Sequence, residues 1–408
     1  MVGSGMGSRM IHFGHFETEI YLRHPTHDLT IRNLCDEGNT PGFRPHPGRE
    51  QEDQYAFPGA KHLIHDALKA DTKPKGHFRT PDQWISELNP DLIVCFFGFN
   101  SSFDGPSEVE RFKEELDAYL KHLTTRINGK PSSPKLVLVS PTAVESIPEV
   151  TDGIDQNRNL EIYTQTMSQC ARDNDVLYVD CFTPSIRWYK EGIRHTVDGA
   201  LYNDFGYRRL AKFLVDSIFE VTESKEKLRN QVREMVREKN FFWLNDFKVP
   251  NGVHVYGRRY NPYGPQNYPF ELKKTEEYTV NRDQAIWSIL SGRSYDLANA
   301  DGKTSTLPEV PTNYLPPEKN GKNGLVDYTP APIAKTKIEV AEGYRIELFA
   351  DEQTFPDLAN PVQLSFDNKG RLWVATMASY PHYRIGDPLP KDKPVSYTHL
   401  TLPTTYHV

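Results

Sequence analysis

Residues 1–220 alternate between short apolar runs and longer amphipathic segments. The apolar runs are continuous rather than alternating, which is typical of strands covered on both faces. Pro81 directly after Thr80 is a typical start of a helix. The alternation of strands and helices predicts an α/β domain whose parallel sheet carries helices on both faces. The predicted strands are 29–35, 91–97, 135–140 and 176–180, and the predicted helices are 8–23, 59–70, 81–89, 108–127, 155–174 and 204–220.

The pattern changes after residue 221. A charged helix predicted over 223–240 leads into three aromatic residues, and an aromatic stretch rich in Gly and Pro follows at 253–270. A further helix, which carries Trp287, is predicted over 271–292. A linker would not be this aromatic, so we expect residues 222–296 to pack on the preceding domain as a helical and aromatic extension.

Proline accumulates towards the carboxyl end, where 13 of the 31 prolines lie within 301–408. Residues 297–335 are predicted to form an extended, Pro-rich linker. Short strands are then predicted at 344–349, 362–366 and 371–375, and the turn Asn368-Lys369-Gly370 favours a hairpin between the last two. One hairpin and one strand cannot form an independent all-β domain, so this region is predicted to be incomplete.

Charge and cysteine usage exclude several classes of protein. The chain has 48 basic and 55 acidic residues, a net charge of −7, which argues against a general nucleic-acid binder. No apolar run approaches the ~18 residues of a membrane span. Cys35 and Cys95 lie in apolar runs without metal-like spacing, so buried free thiols are expected. His62 and His65 lack further ligands and are expected at the surface or as caps; no metal and no cofactor is predicted.

Ligands of parallel α/β sheets bind beyond the carboxyl ends of the strands. Four segments of this chain fall at such positions, each directly after a predicted strand or before the last helix of the domain. They are Gly3-Ser4-Gly5-Met6-Gly7-Ser8, Asp36-Glu37-Gly38-Asn39-Thr40, Gly98-Phe99-Asn100-Ser101-Ser102 and Thr196-Val197-Asp198-Gly199-Ala200-Leu201-Tyr202-Asn203.

Together, these four segments resemble the consensus blocks of the SGNH (GDSL-type) hydrolases. The resemblance implies a flavodoxin-like three-layer α/β sandwich that cleaves esters by acyl transfer. In that family the first block supplies a serine nucleophile, and the fifth block supplies the histidine base and the aspartate that orients it. The second and third blocks supply a glycine N–H and an asparagine amide to the oxyanion, and a further backbone N–H completes the set of donors.

The resemblance transfers to some positions of this chain and fails at others. Gly38 matches the glycine of the second block, Asn100 the asparagine of the third and Asp198 the aspartate of the fifth. These three are the candidate catalytic-site residues. Gly5 stands where the nucleophilic serine belongs, and Leu201 stands where the histidine belongs. The nucleophile and the base are therefore both expected to be absent.

Two neighbouring residues could replace them in principle. Ser4 lies one position early, where a strand-like side chain points to the opposite side. His195 lies three residues before Asp198. We expect an exposed loop serine and a surface histidine instead, and a domain that keeps the oxyanion donors but has lost charge-relay hydrolysis. Gly38 and Asn100 also fit a purely structural role, since both residue types tolerate a positive φ in turns.

A wider resemblance covers about 1–395. Segments 96–105, 255–264, 342–350 and 355–361 resemble multidomain proteins of planctomycete-type bacteria. In those, an SGNH-like domain precedes a β-propeller similar to membrane-bound or sorbosone-type dehydrogenases, followed by helical repeats and a CxxCH haem-binding module. The resemblance implies an exported or periplasmic protein of carbohydrate breakdown. Its expected partners are a carbohydrate or acyl-ester ligand and the propeller and haem modules of the full-length parent.

The same resemblance sets the expected domain boundaries. Residues 1–221 form the SGNH-like domain, 336–395 the truncated start of the propeller, and 396–408, which resemble a translated sequencing adaptor, a non-native tail. This chain has no CxxCH motif. We expect a fragment whose first strand is mostly missing. The alternative function is a catalytically inactive carbohydrate-binding or docking module of a sugar-oxidising protein.

Overall fold

The computed structural model divides into two units, Met1–Pro311 and Thr312–Val408, each described separately. The structure describes residues 1–44, 55–69, 79–124, 133–148, 153–220, 223–250, 252–255, 257, 260–261, 264–308, 329–358, 361–367, 371–376 and 398–401.

The first unit contains a five-stranded parallel sheet in the order β2-β1-β3-β4-β5. This is the flavodoxin-like order, in which the chain winds outward in both directions from β1. The predicted parallel α/β architecture is thereby confirmed. The strands are β1 Val2–Gly3, β2 Leu34–Cys35, β3 Leu92–Phe96, β4 Lys135–Val139 and β5 Leu177–Val179.

Helices cover both faces of this sheet because successive side chains of a strand point to opposite sides. Ile93 and Cys95 of β3 belong to one core, together with residues of α3, α4 and α5. Val94 and Phe96 belong to the other core, with residues of α2 and α7. The helices of this domain are α1 Gly5–Phe13, α2 His15–Arg23, α3 Pro81–Leu88, α4 Val109–Thr124, α5 Gly153–Asp173, α6 Phe182–Tyr189 and α7 Asp204–Ile218.

Two predicted helices differ from the structure. The helix predicted over 8–23 is split at Gly14, which adopts a left-handed φ of 69° and ends α1. The helix predicted over 59–70 is wrong, because two short 3-10 turns occupy this stretch. His65 between them is extended, and its ring accepts a hydrogen bond from the Ala67 N–H, so the side chain caps a turn as expected for a capping histidine.

The extension consists of α8 Arg229–Phe247, α9 Gly252–Val255, α10 Gly264–Ser291 and α11 Leu297–Gly302. Helix α8 packs on α1, α2 and α10. Its apolar side chains share a core with α2 and α10, which includes Tyr21, Val232 and Ile286. The extension is therefore an integral layer of the first unit. Helix α11 lies within the stretch predicted as a linker.

A fully buried ion pair joins the extension to the α/β domain. The Lys239 ammonium donates to the Glu17 carboxylate and to the Ile31 carbonyl oxygen, and lies 5.7 Å from the centre of the Tyr21 ring. Asn240 donates to the other Glu17 oxygen at 2.7 Å. Burying a charge is costly unless it is paired and hydrogen-bonded, and here both charges are.

The second unit contains α12 Ala331–Thr336 and an antiparallel sheet of β6 Pro361–Phe366, β7 Leu372–Thr376 and β8 Thr398–Thr401. The β6–β7 pairing agrees with the predicted hairpin; its turn at 368–370 lies outside the described residues. The predicted strand 344–349 is not a strand, because it pairs with no strand in the described part of the chain. No helix in the described ranges has the length and apolarity needed to cross a membrane.

The buried pair predicts an asymmetric response to mutation. Lys239→Met leaves the Glu17 carboxylate buried without its cation, and we expect it to lower the free energy of unfolding by about 3–5 kcal/mol. The double variant Glu17→Met/Lys239→Met removes both charges and should recover most of that loss. Urea denaturation of the two variants and the parent measures both values. A double variant no more stable than Lys239→Met would contradict this account.

Asp246 near the end of α8 predicts a pH dependence of stability. Burial, and then the nearby Glu276 carboxylate, raise the pKa of Asp246 to about 7, against the opposing effect of Arg79 and Arg32. The folded protein therefore holds this proton more tightly than the unfolded chain, so the associated stability is present below pH 4 and is lost as the pH rises through 7.

The matched variant is Asp246→Asn, which cannot ionise. At about 1.4 kcal/mol per pKa unit, we expect the parent to lose roughly 2–4 kcal/mol relative to Asp246→Asn between pH 4 and pH 8. Thermal denaturation over that range measures the difference. Parallel stability curves for the two proteins would contradict the assignment.

Candidate functional site

The loop between β1 and α1 is fixed by its backbone. Gly3 has a φ of 132°, and a Cβ at this position would lie 2.1 Å from the Phe96 carbonyl oxygen, so only glycine fits. Ser4 is buried. Its backbone N–H donates to the Phe96 carbonyl oxygen at 2.7 Å, and its hydroxyl donates to the same oxygen at 3.2 Å. The expectation of an exposed loop serine is therefore wrong, because β3 provides the partner for both polar groups of Ser4.

Gly5 is the first residue of α1 and stands at the position where the sequence resemblance places a serine. A Cβ built on Gly5 meets only the Glu37 Cγ, at an ordinary contact distance of 3.9 Å. The site thus has room for a side chain that faces the loop after β2. Because Gly5 is the first residue of a helix, its backbone N–H has no hydrogen-bond acceptor within that helix.

The loops after β2 and β3 are brought together by two amides. The Asn39 side chain donates to the Gly3 carbonyl oxygen at 3.0 Å, which holds the loop after β2 against β1. The Asn100 side chain donates to the Asn39 carbonyl oxygen at 3.2 Å. Gly38 lies in the exposed turn next to Asn39, with a left-handed φ of 78°. Two of the three candidate residues, Gly38 and Asn100, therefore lie in adjoining loops.

Three hydrogen-bond donors at this edge have no acceptor among the described residues. They are the backbone N–H groups of Gly5 and Gly38 and one of the two amide hydrogens of Asn100. The amino end of α1 adds a partial positive charge at Gly5. Unpaired donors of this kind are the elements of an oxyanion-type site, which binds an electron-rich carbonyl oxygen. The positive φ of Gly38 is equally the conformation that its turn requires.

Asp198, the third candidate, shapes its own loop. Its exposed carboxylate accepts hydrogen bonds from the backbone N–H groups of Ala200 at 3.0 Å and Leu201 at 2.7 Å. This is the geometry of an Asx turn. No histidine is available to it at position 201, where the leucine side chain carries no proton-accepting group. The structure gives Asp198 a structural role and does not join it to the other two candidates.

His195 is buried rather than at the surface, which corrects the second expectation. Aromatic rings enclose it: its ring centre lies 6.4 Å from that of Trp188 and 5.1 Å from that of Phe205. Its Nε2 is 3.3 Å from Arg209, and its Nδ1 is 3.8 Å from a Glu145 oxygen. These enclosing side chains fill the space around the ring, so His195 is part of the packing of this loop.

Glu145 is a site residue that the sequence analysis missed. Its buried carboxylate accepts from the Thr196 N–H at 2.8 Å, the Thr196 hydroxyl at 2.6 Å and the His195 N–H at 3.1 Å. It thereby fixes the loop that carries Asp198. Its place shortly after β4, at the carboxyl edge of the sheet, is the signal that could have indicated it. The sequence analysis also missed Asn39, which lies next to the candidate residue Gly38.

The cysteines are free thiols, as predicted, and all four are buried. Burial raises the pKa of both Cys35 and Cys95 to about 12, so these thiols stay protonated at neutral pH. Within the described ranges, no group of three or more His, Cys, Asp or Glu side chains could hold a metal ion.

Comparison with known proteins gives one family model and several solved structures. The model of a domain of unknown function, DUF7133, matches residues 332–399, within the second unit. No curated protein sequence matches the chain.

Three of the similar solved structures each match about half of this chain. They include the acetyl xylan esterase AlAXEase, with 16% identity and a TM-score of 0.35, covering 53% of this chain and 98% of that one. A catalytic mutant of Axe2, an acetylxylan esterase from Geobacillus stearothermophilus, has 13% identity and a TM-score of 0.38, with 55% and 95% covered. A lipolytic G-D-S-L family member from Veillonella parvula has 11% identity and a TM-score of 0.35, with 54% and 97% covered.

The space at Gly5 predicts which glycine accepts a serine. Gly5→Ser should change the free energy of unfolding by less than about 0.5 kcal/mol, because the new side chain meets no close neighbour. Gly3→Ser, two residues away, should cost more than about 2 kcal/mol, because it combines backbone strain with a clash against β3. Chemical denaturation of both variants tests the contrast. Equal losses would mean that the loop after β1 is not held as described.

Proposed function

We propose that residues 1–221 are an SGNH-type domain that binds the acyl group of an acylated carbohydrate without cleaving it. The observation that carries this proposal is the meeting of three loops at one sheet edge, where Gly5, Gly38 and Asn100 have donors with no acceptor among the described residues, and where position 5 is a glycine. Such a site recognises an ester carbonyl, and the reaction stops at binding.

The absence of turnover follows from the chemistry of the surrounding side chains. Acyl transfer needs a hydroxyl beside a base, and the base needs an orienting carboxylate. Position 5 is a glycine and position 201 a leucine. The Ser4 hydroxyl is buried against β3, and His195 is enclosed by aromatic rings. Neither residue is therefore available to replace the missing pair.

Each hydrogen bond to an ester carbonyl contributes only a small free energy of binding. A neutral hydrogen bond contributes about 0.5–1.5 kcal/mol in water, so loss of one donor should weaken binding of an acyl group by roughly 3- to 10-fold. The choice of an acylated carbohydrate as ligand follows from the sequence resemblance to SGNH hydrolases of carbohydrate breakdown.

The wider organisation is part of the same proposal. Residues 336–395 would begin a β-propeller, after the Pro-rich segment 297–335, in an exported multidomain protein with a haem module. The antiparallel β6–β7 hairpin supports this, because propeller blades are antiparallel. In that setting the SGNH-type domain would bring an acylated carbohydrate to the sugar-oxidising part of the protein.

The test compares an acetylated xylo-oligosaccharide with its deacetylated form by titration calorimetry, while acetate release is followed separately. We expect the acetylated form to bind about 10-fold more tightly, with no acetate released. Asn100→Ala should reduce that preference by roughly 3- to 10-fold. Gln165→Ala, an exposed change on the outside of α5, should leave it unchanged.

Two results would overturn the proposal in different ways. Hydrolysis of p-nitrophenyl acetate that Asn100→Ala abolishes would establish a working ester hydrolase. Equal affinity for the acetylated and deacetylated sugars would show that the three donors do not recognise an acyl group.

A further inference from the structure

A cavity adjoins the candidate site on the side of the extension. Its volume is about 350 Å³, at the lower end of the range of pockets that hold small ligands. Its walls come from α1, from the loop after β2, and from the carboxyl end of α8 with the residues that follow. We call it the side pocket; its polar lining consists of Ser8, His12, Glu37, Asn245 and Lys248.

Helix α1 connects the side pocket to the candidate site. Gly5, Ser8 and His12 are spaced by three and four residues, so they lie along one face of this helix. A Cβ on Gly5 would lie 3.9 Å from the Glu37 Cγ, and Glu37 itself lines the side pocket. The side pocket therefore begins within one side chain of the position where the acyl group is proposed to bind.

Three polar side chains of the side pocket bond to no other side chain or backbone group in the described ranges. They are the Ser8 hydroxyl, the His12 ring and the Glu37 carboxylate. Partial burial, and then the Arg9 and Lys248 cations, lower the pKa of His12 against the opposing effect of Glu37, so the ring is neutral at neutral pH. A neutral imidazole and a hydroxyl can each donate and accept, whereas a carboxylate only accepts.

The charges around the side pocket favour a neutral ligand. The Lys248 ammonium is paired with the Asp36 carboxylate, so these two charges largely cancel. The Glu37 carboxylate, which has no paired cation in the described part of the chain, disfavours an anionic ligand. Lys248 disfavours a cationic one. Hydroxyl groups of a neutral ligand match this set, because they donate to a carboxylate and both donate to and accept from a hydroxyl or an imidazole.

On the basis of the proposed function, we propose that the side pocket binds the sugar hydroxyls of the ligand whose acyl group lies at the candidate site. Glu37 accepts hydrogen bonds from these hydroxyls, and Ser8 and His12 bond to them from α1. Leu244 and Pro250, which also line the side pocket, supply apolar contacts for the C–H groups of the sugar ring.

This assignment gives the extension a part in recognition. Helix α8 contributes Leu244 and Asn245 to the wall that faces α1 across the side pocket. Lys248 follows the helix and pairs with Asp36, the residue directly before Glu37. Lys248 is therefore a positioning residue for the loop that presents the carboxylate to the sugar.

The test uses titration calorimetry on the complete chain with an acetylated xylo-oligosaccharide and its deacetylated form. Glu37→Ala should weaken binding of both sugars by about 10-fold, because each loses a hydrogen bond to a charged acceptor. His12→Ala should weaken both by roughly 3- to 10-fold. Neither variant should change the ratio of the two affinities, since the acyl group contacts other donors. Glu161→Ala, a matched exposed change on α5, should leave both affinities as in the parent.

The outcomes separate this proposal from the proposed function. Parent-like affinities of Glu37→Ala and His12→Ala for both sugars would overturn the side pocket, and a retained preference for the acetylated form would leave the acyl site standing. Equal affinities of the parent for the two sugars, both weakened by Glu37→Ala, would refute the acyl site and support the side pocket. A loss confined to the acetylated sugar would place Glu37 at the acyl group and overturn its assignment to the sugar hydroxyls.

Discussion

The buried pair of Lys239 and Glu17 is the interaction on which the arrangement of the first unit depends. It ties α8 to α2, and through the Ile31 carbonyl it also ties α8 to the chain that enters β2. One turn further along α8, Trp243 donates to the Asn33 carbonyl oxygen at 2.7 Å. Beyond the end of α8, Lys248 pairs with Asp36. The extension thus holds the chain at three points between Ile31 and Asp36, on both sides of β2.

The position of the candidate site follows from this constraint. The loop after β2 supplies Gly38 and Asn39, and Asn39 connects it to β1 and to the loop of Asn100. Both contacts join an asparagine side-chain amide to a backbone carbonyl oxygen, so neither of them depends on a side chain at position 5. A domain built in this way has room for either a glycine or a small side chain at position 5. Stability and catalysis are separate properties at this edge of the sheet.

Much of the fold could be predicted from the sequence. Continuous apolar runs indicated β3, β4 and β5, and in β3 and β4 such runs reflect burial on both faces of the sheet. Thr80 and Pro81 indicated the start of α3, where the structure shows a complete capping box between Thr80 and Gln83. The stretch 59–70 could not be predicted, because its helical spacing is overridden by the left-handed backbone of Gly59 and the extended backbone of His65.

The site was predictable in part. The order of motifs located the loops of Gly38 and Asn100, because the carboxyl ends of parallel strands share one edge. Ser4 is buried against Phe96, which is distant in the sequence. His195 is buried between Trp188 and Phe205, and no motif in the sequence marks these two aromatic residues. Glu145 and Asn39 bond to groups of other loops; their positions after β4 and β2 place them at this edge, but no local pattern indicates which groups they bond to.

In the proposed acyl-binding site, hydrogen-bond donors are present without an activated nucleophile. The most direct test is reaction with an alkyl fluorophosphonate, which labels activated serine hydroxyls, followed by intact-protein mass spectrometry. We expect no covalent adduct on the folded chain, because no serine hydroxyl described at this edge is hydrogen-bonded to a histidine, and the Ser4 hydroxyl donates to the Phe96 carbonyl oxygen instead. A stoichiometric adduct that forms only on the folded protein and maps to a serine of residues 1–40 would contradict it.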